Sequence, residues 1–130
     1  MRCIVLVLIT CLLSVPAVSV ELFRYRGPAK DGGTLEYVFE ADEQNSPNAV
    51  TKEKAAEIAA DFMMSFYHVQ VGALETQEFR TTPLPFWLIC FSDTTKGPLR
   101  EMYFVVLLPD GTVVQPRVAE RFQPGNSSLK

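Results

Sequence analysis

Apolar positions along the chain change period twice, and each change marks a new kind of predicted element. Residues 20–44, "VELFRYRGPAKDGGTLEYVFEADEQ", read as two arms around a glycine-rich turn. In the second arm Leu35, Tyr37, Phe39 and Ala41 alternate with Thr34, Glu36, Val38 and Glu40, the period of two of a half-buried strand. An N-terminal β-hairpin is therefore predicted. With its turn inside 27–33, Arg24 and Arg26 would face Glu36 and Glu40 as opposite charges across the ladder.

"NSPNAV" breaks the alternation, and "TKEKAAEIAADFMMSFYHV" over 51–69 takes up helical spacing. Thr51 is placed to cap the helix N-terminus, with Glu53 in the first turn where an acid suits the dipole. Ala55, Ile58, Ala59, Phe62, Phe66 and Val69 form one stripe, and the Phe62 ring is expected in the core.

Strand patterns follow. "VQVGALETQEFRT" alternates loosely, with Gly72 as its expected bulge, and "PFWLICFS" comes after Pro83 and Pro85. "LREMYFVVLLP" and "TVVQPRVAERF" flank Asp110-Gly111, where a type I′ hairpin turn is predicted with both residues at positive φ. Four strands joined by short turns imply an antiparallel meander. The fold class is thus α+β: one helix packed on a four-stranded antiparallel sheet, with the N-terminal β-hairpin extending that sheet.

In 86–91 and 102–108 nearly every residue is apolar, so both faces of these two strands require a cover. Phe86, Leu88, Cys90 and Ser92 share one face of their strand, and Trp87, Ile89 and Phe91 share the other. A single helix covers one face; the hairpin or a second molecule must cover the other. Trp87, Ile89, Phe91, Tyr103, Val105 and Leu107 are therefore the candidate interface, through which a protein partner or a second copy of the chain would dock.

The two ends narrow the setting. Residues 1–19 carry Arg2, an apolar run from Ile4 to Val15 and the small-residue pattern Ala17-Val18-Ser19, the layout of a secretory signal peptide cleaved after Ser19 or after Ala17. The run is short for a membrane span, so no stable span is expected after cleavage, and a secreted or periplasmic location is. The expected organisation is a signal peptide over 1–19, hairpin and linker over 20–50, a helix-plus-sheet domain over 51–122 and a flexible tail over 123–130. Asn126-Ser127-Ser128 matches the N-glycosylation triplet.

Charge and chemistry then exclude function classes. Arg2 is the only charge in residues 1–19, so the remainder has 11 Lys and Arg against 15 Asp and Glu. That balance, with no basic stripe, argues against nucleic acid as a partner. Cys3 and Cys11 leave with the leader, so Cys90 has no disulfide partner within the remaining chain. A nucleophilic pair would need Cys90 and His68, the only histidine. Cys90 lies among bulky apolar neighbours that raise a thiol pKa, and one histidine without paired cysteines makes no zinc site. Asp42 with Glu43 and Glu75 with Glu78 read as surface pairs. No GxxxxGK, GxSxG or HExxH motif occurs. A non-enzymatic binding module without metal or cofactor is the expectation.

The order of helix and strands over 51–122, with the alanine-rich "EKAAEIAADF" and the late Asp-Gly turn in "YFVVLLPDGTVVQPRV", resembles the PepSY and cystatin-like group of secreted domains. That resemblance implies a helix laid across an antiparallel sheet and a binding or inhibitory role outside the cytoplasm, with a protease inhibitor or propeptide-like regulator as the alternative function. Gln70 to Gly72 and Pro85 to Trp87 echo the Gln-x-Val-x-Gly and Pro-Trp hairpins of cystatins. Their spacing differs: the valine lacks one residue on each side, and Phe86 separates Pro85 from Trp87.

Overall fold

The computed structural model describes residues 19–29, 33–43, 48–69, 72–93 and 101–122. The elements run β1 (Val20–Pro28), β2 (Thr34–Ala41), α1 (Lys52–Phe62) continuing into a π turn (Met63–Tyr67), β3 (Ala73–Arg80), β4 (Phe86–Ser92), β5 (Met102–Leu107), β6 (Val113–Val114) and β7 (Arg117–Phe122). The predicted leader up to Val18, Gln70 with Val71, and the tail with Asn126 lie outside the described residues.

The helix does pack on a four-stranded antiparallel sheet, of order β3-β4-β5-β6, and the N-terminal hairpin is present. The hairpin does not extend that sheet. It joins β7 in a separate three-stranded antiparallel sheet of order β1-β2-β7. The predicted last strand accordingly splits. Val113 and Val114 pair with β5, the chain passes Pro116, and Arg117–Phe122 pairs with β2. Proline has no N–H to continue a ladder, so the strand ends there and its second half is free to join the other sheet.

This division answers the need for two covers. Ala55, Ala59 and Met63 of the helix pack on Ile89, Phe91, Tyr103, Val105 and Leu107, with Trp87 partly buried against them. Leu22, Leu35, Tyr37 and Phe39 of the hairpin pack on Phe86, Leu88, Val106, Leu108 and Val114 on the opposite face. Alanines at 55 and 59 let the helix backbone approach the sheet closely. Thr51 Oγ1 accepts from the Lys54 N–H at 3.1 Å and closes the first turn as predicted. Gln77 Nε2 donates to the Lys52 carbonyl at 2.6 Å, tying β3 to the same end of the helix.

Three local expectations change. The bulge in β3 falls between Leu74 and Thr76, while Gly72 precedes the strand. Arg24 reaches Glu36 at 3.3 Å and Glu21 at 2.6 Å, but Glu40 pairs with Arg117 at 2.9 Å, and the Arg26 guanidinium lies 4.3 Å over the Phe122 ring. The Asp-Gly turn is not type I′. The Gly111 N–H donates to the Leu108 carbonyl at 2.9 Å and the Leu108 N–H to Thr112 at 2.9 Å. Only Gly111, at φ 91°, is left-handed in this loop. Pro109 fixes its own φ near −65° at the first central position of a type I turn, so the glycine supplies the left-handed residue that follows, as in a three-residue hairpin loop.

Candidate functional site

Where β5 leaves β6 behind, the second sheet acquires an open edge. The Asp93 N–H donates to the Glu101 carbonyl at 3.0 Å, and β4 pairs with β5 from Met102 to Leu107. Alternation then turns the backbone groups of Tyr103 and Val105 toward β4 and those of Met102, Phe104 and Val106 away from it. Val106 meets Val114 of β6. Beyond Val106 toward Met102 no described strand pairs with this side of β5.

Tyr67, at the end of the π turn, partly fills the gap. Its hydroxyl donates to the Phe104 carbonyl at 3.1 Å and accepts from the Tyr25 hydroxyl at 3.0 Å. The four tyrosines of the chain converge here. Ring centroids lie 5.2 Å apart for Tyr25 and Tyr37, 5.8 Å for Tyr37 and Tyr67, and 5.2 Å for Tyr67 and Tyr103. Burial pushes the Tyr25, Tyr67 and Tyr103 hydroxyls well above the ordinary tyrosine range, and Tyr103 is raised further by its 2.9 Å hydrogen bond to Glu101. These hydroxyls stay protonated at neutral pH and act as neutral donors. Gly27 is required beside them: a Cβ there would stand 2.8 Å from Tyr25 Cε2 and 3.1 Å from Tyr37 Cε2.

Next to this cluster, between the tip of the hairpin and the start of β5, opens a cleft of about 500 Å³. Tyr25, Phe104 and Met102 line it with apolar surface, Pro28 and Thr34 with the hairpin, and Arg26 and Glu101 complete the lining, the Arg26 guanidinium itself lying over the Phe122 ring. On β1 the Ala29 N–H donates to Gly33 at 2.8 Å, so Ala29 faces β2 and alternation turns Arg26 and Pro28 outward. Proline at such an outward position costs no ladder hydrogen bond.

The residues singled out from sequence fall elsewhere. Ile89, Phe91, Tyr103, Val105 and Leu107 are buried beneath the helix, and Trp87 is partly buried with Phe79 edge-on at 5.0 Å. The face proposed for a partner is thus the helix's own seat, because Met63 and the two alanines bring the helix down onto it. Cys90 is 2% exposed, its thiol pushed up to about 11 by burial and then by the charge of Glu75. Sγ lies 3.9 Å from the Phe91 carbonyl. His68 is exposed and closes the helix in the left-handed conformation at φ 56°. Among the described residues no group of three His, Cys, Asp or Glu side chains is arranged to hold a metal ion.

Sequence reasoning missed the tyrosine cluster and the cleft. Residues 25, 37, 67 and 103 share no spacing, and only the crossing of two sheets brings them together. The available signals were Pro116, which ends β6 early, and Pro28, which marks an outward strand position. No protein-family model matches the chain, and neither the curated proteins nor the solved structures contain a significant match to it.

Proposed function

We propose that the chain is an exported, non-enzymatic binding module that holds a polypeptide segment in the cleft between the hairpin and β5. The observation that carries this reading is the make-up of the cleft: aromatic and thioether surface from Tyr25, Phe104 and Met102, with Arg26 and Glu101 beside it. Mostly apolar concavities with a few placed polar groups are the usual form of a binding site. Export rests on the leader-like pattern of residues 1–19, and the resemblance over 51–122 to secreted binding domains points the same way. The interaction surface moves from the sheet face, which the helix occupies, to the cleft.

Selection of peptides from a displayed random library against the chain, followed by NMR of the labelled protein with those peptides, tests the reading. Resonances of Tyr25, Gly27, Met102 and Phe104 are expected to move. A selection that yields no peptide, or peptides that leave those four residues unmoved, overturns it.

A further inference from the structure

We infer that the chain pairs with a second copy of itself through β3, two β3 strands joining antiparallel about Phe79 so that the two four-stranded sheets continue into one. This surface lies on the far side of β4 from the cleft and stands independently of it.

β3 is the strand that neither cover reaches. The helix packs on β4, β5 and β6, and the backbone of the hairpin comes closest to β5 and β6, so the β3 side of the sheet projects beyond both. None of the 8 residues of β3 is buried, and Leu74 and Phe79 are 47% and 44% exposed. Phe79 stands edge-on to the partly buried Trp87 at 5.0 Å. The free backbone groups follow from the ladder. The Asp93 N–H donates to the Glu101 carbonyl, so alternation turns Phe91, Ile89 and Trp87 toward β5, and Cys90, Leu88 and Phe86 toward β3. Their partners Thr76, Glu78 and Arg80 therefore face β4, while Gln77 and Phe79 turn N–H and carbonyl outward, where no described strand meets them. An open edge of this kind is a template for another strand.

Charge selects the partner and the register. In a two-fold pair of antiparallel strands, residues equally far from the axis stand opposite each other. An axis at Glu78 or at Arg80 sets like charges face to face, and an axis at Gln77 runs Phe79 onto the bulge between Leu74 and Thr76. An axis at Phe79 sets Glu78 of each copy opposite Arg80 of the other and brings the two exposed Phe79 rings together on the face that carries Trp87. Glu75, whose carboxylate accepts from the Ser92 hydroxyl at 2.5 Å, stays outside that ladder. Within one chain Arg80 Nη2 already meets Glu78 at 3.3 Å, with the two side chains 39% and 58% exposed. Such an exposed pair adds little and changes partner at small cost. Pairing thus exchanges two contacts within strands for two across them and leaves no charge alone, which a strand of one sign could not do.

A ladder this short makes a small interface, and the expected Kd is on the order of 100 µM. Sedimentation equilibrium from about 10 µM to about 1 mM is expected to show a reversible monomer–dimer equilibrium. Over the same range hydrogen exchange at the Phe79 amide is expected to slow about fivefold. Glu78→Arg and Arg80→Glu each set like charges across the axis and are expected to weaken the dimer at least about tenfold. Both substitutions together restore opposite charges with an unchanged composition and are expected to return the parent Kd. Phe79→Lys, at an exposed position, is expected to leave the thermal unfolding of the monomer where it was and to abolish the dimer. A chain that stays monomeric at about 1 mM, a dimer indifferent to Phe79→Lys, or a double exchange that fails to recover what the single ones lose overturns the inference, and none of these outcomes bears on the cleft.

Discussion

Cys90 and Tyr67 are each set by what surrounds them. Cys90 sits in β4 with its thiol held neutral up to about 11, chiefly by burial. A thiol-specific reagent at neutral pH is therefore expected to leave the folded chain unlabelled and to react at the rate of unfolding, with full labelling in denaturant. Rapid labelling of the native protein contradicts the packing described. Tyr67 is a different case because its hydroxyl does two jobs, donating to Phe104 and accepting from Tyr25. Tyr67→Phe keeps the ring contacts and strands both partners, so it is expected to cost about 1–3 kcal/mol. Chemical denaturation of the variant beside the parent measures that. A loss below about 0.5 kcal/mol means water replaces the hydroxyl at the open edge.

Elements decide which aromatic stripe is truly inside. The helical spacing in the sequence correctly marks Ala55 and Ala59 and the capping Thr51, and it places Phe62 in the core. Phe62 is only partly buried, whereas Met63, one position on, is 1% exposed. The cause is the π turn from Met63 to Tyr67. A π turn holds more residues per turn than the 3.6 of an α-helix, so the phase slips just where the stripe was extrapolated. Met63→Ala is accordingly expected to cost about 2–5 kcal/mol and to exceed the loss from Phe62→Ala, compared by thermal or urea unfolding. The reverse order would mean the helix continues as a regular α-helix in solution. The faces of β4 were legible for a simpler reason: strand alternation is exact and local, so Phe86 and Leu88 separate from Ile89 and Phe91 as read. Which cover each face receives was not, because nothing within a strand encodes whether a helix or a hairpin will arrive. Pro116 carried the one hint that the last strand divides, and its effect depends on β2 having an open side for β7.

At the scale of the whole molecule the two apolar layers meet at Tyr67, which packs against both. That contact joins helix, hairpin and central sheet around hydroxyls that are costly to ionise. Burial raises Tyr25, Tyr37, Tyr67 and Tyr103 and raises Cys90 to about 11. Unfolding returns these groups to about 10 for tyrosine and about 8.5 for cysteine. A group with its pKa raised in the folded state lends stability in full below its unfolded value. As pH climbs past that value the unfolded chain loses the proton first, and the contribution drains away until the folded group ionises too. Stability is thus expected to be level near neutrality and to fall from about pH 8.5 upward, steepening past about pH 10 as the tyrosines join. Thermal unfolding over that range, with tyrosinate absorbance followed in parallel, reads both events together. Ionisation of all four tyrosines near pH 10 with the fold intact would show that the cluster is wet and that the two layers are not joined through it. Tyrosinate from Tyr25 and Tyr67 appearing only with the loss of the fold is the expected result, since their hydroxyls bond to each other and to the Phe104 carbonyl between the hairpin and the sheet.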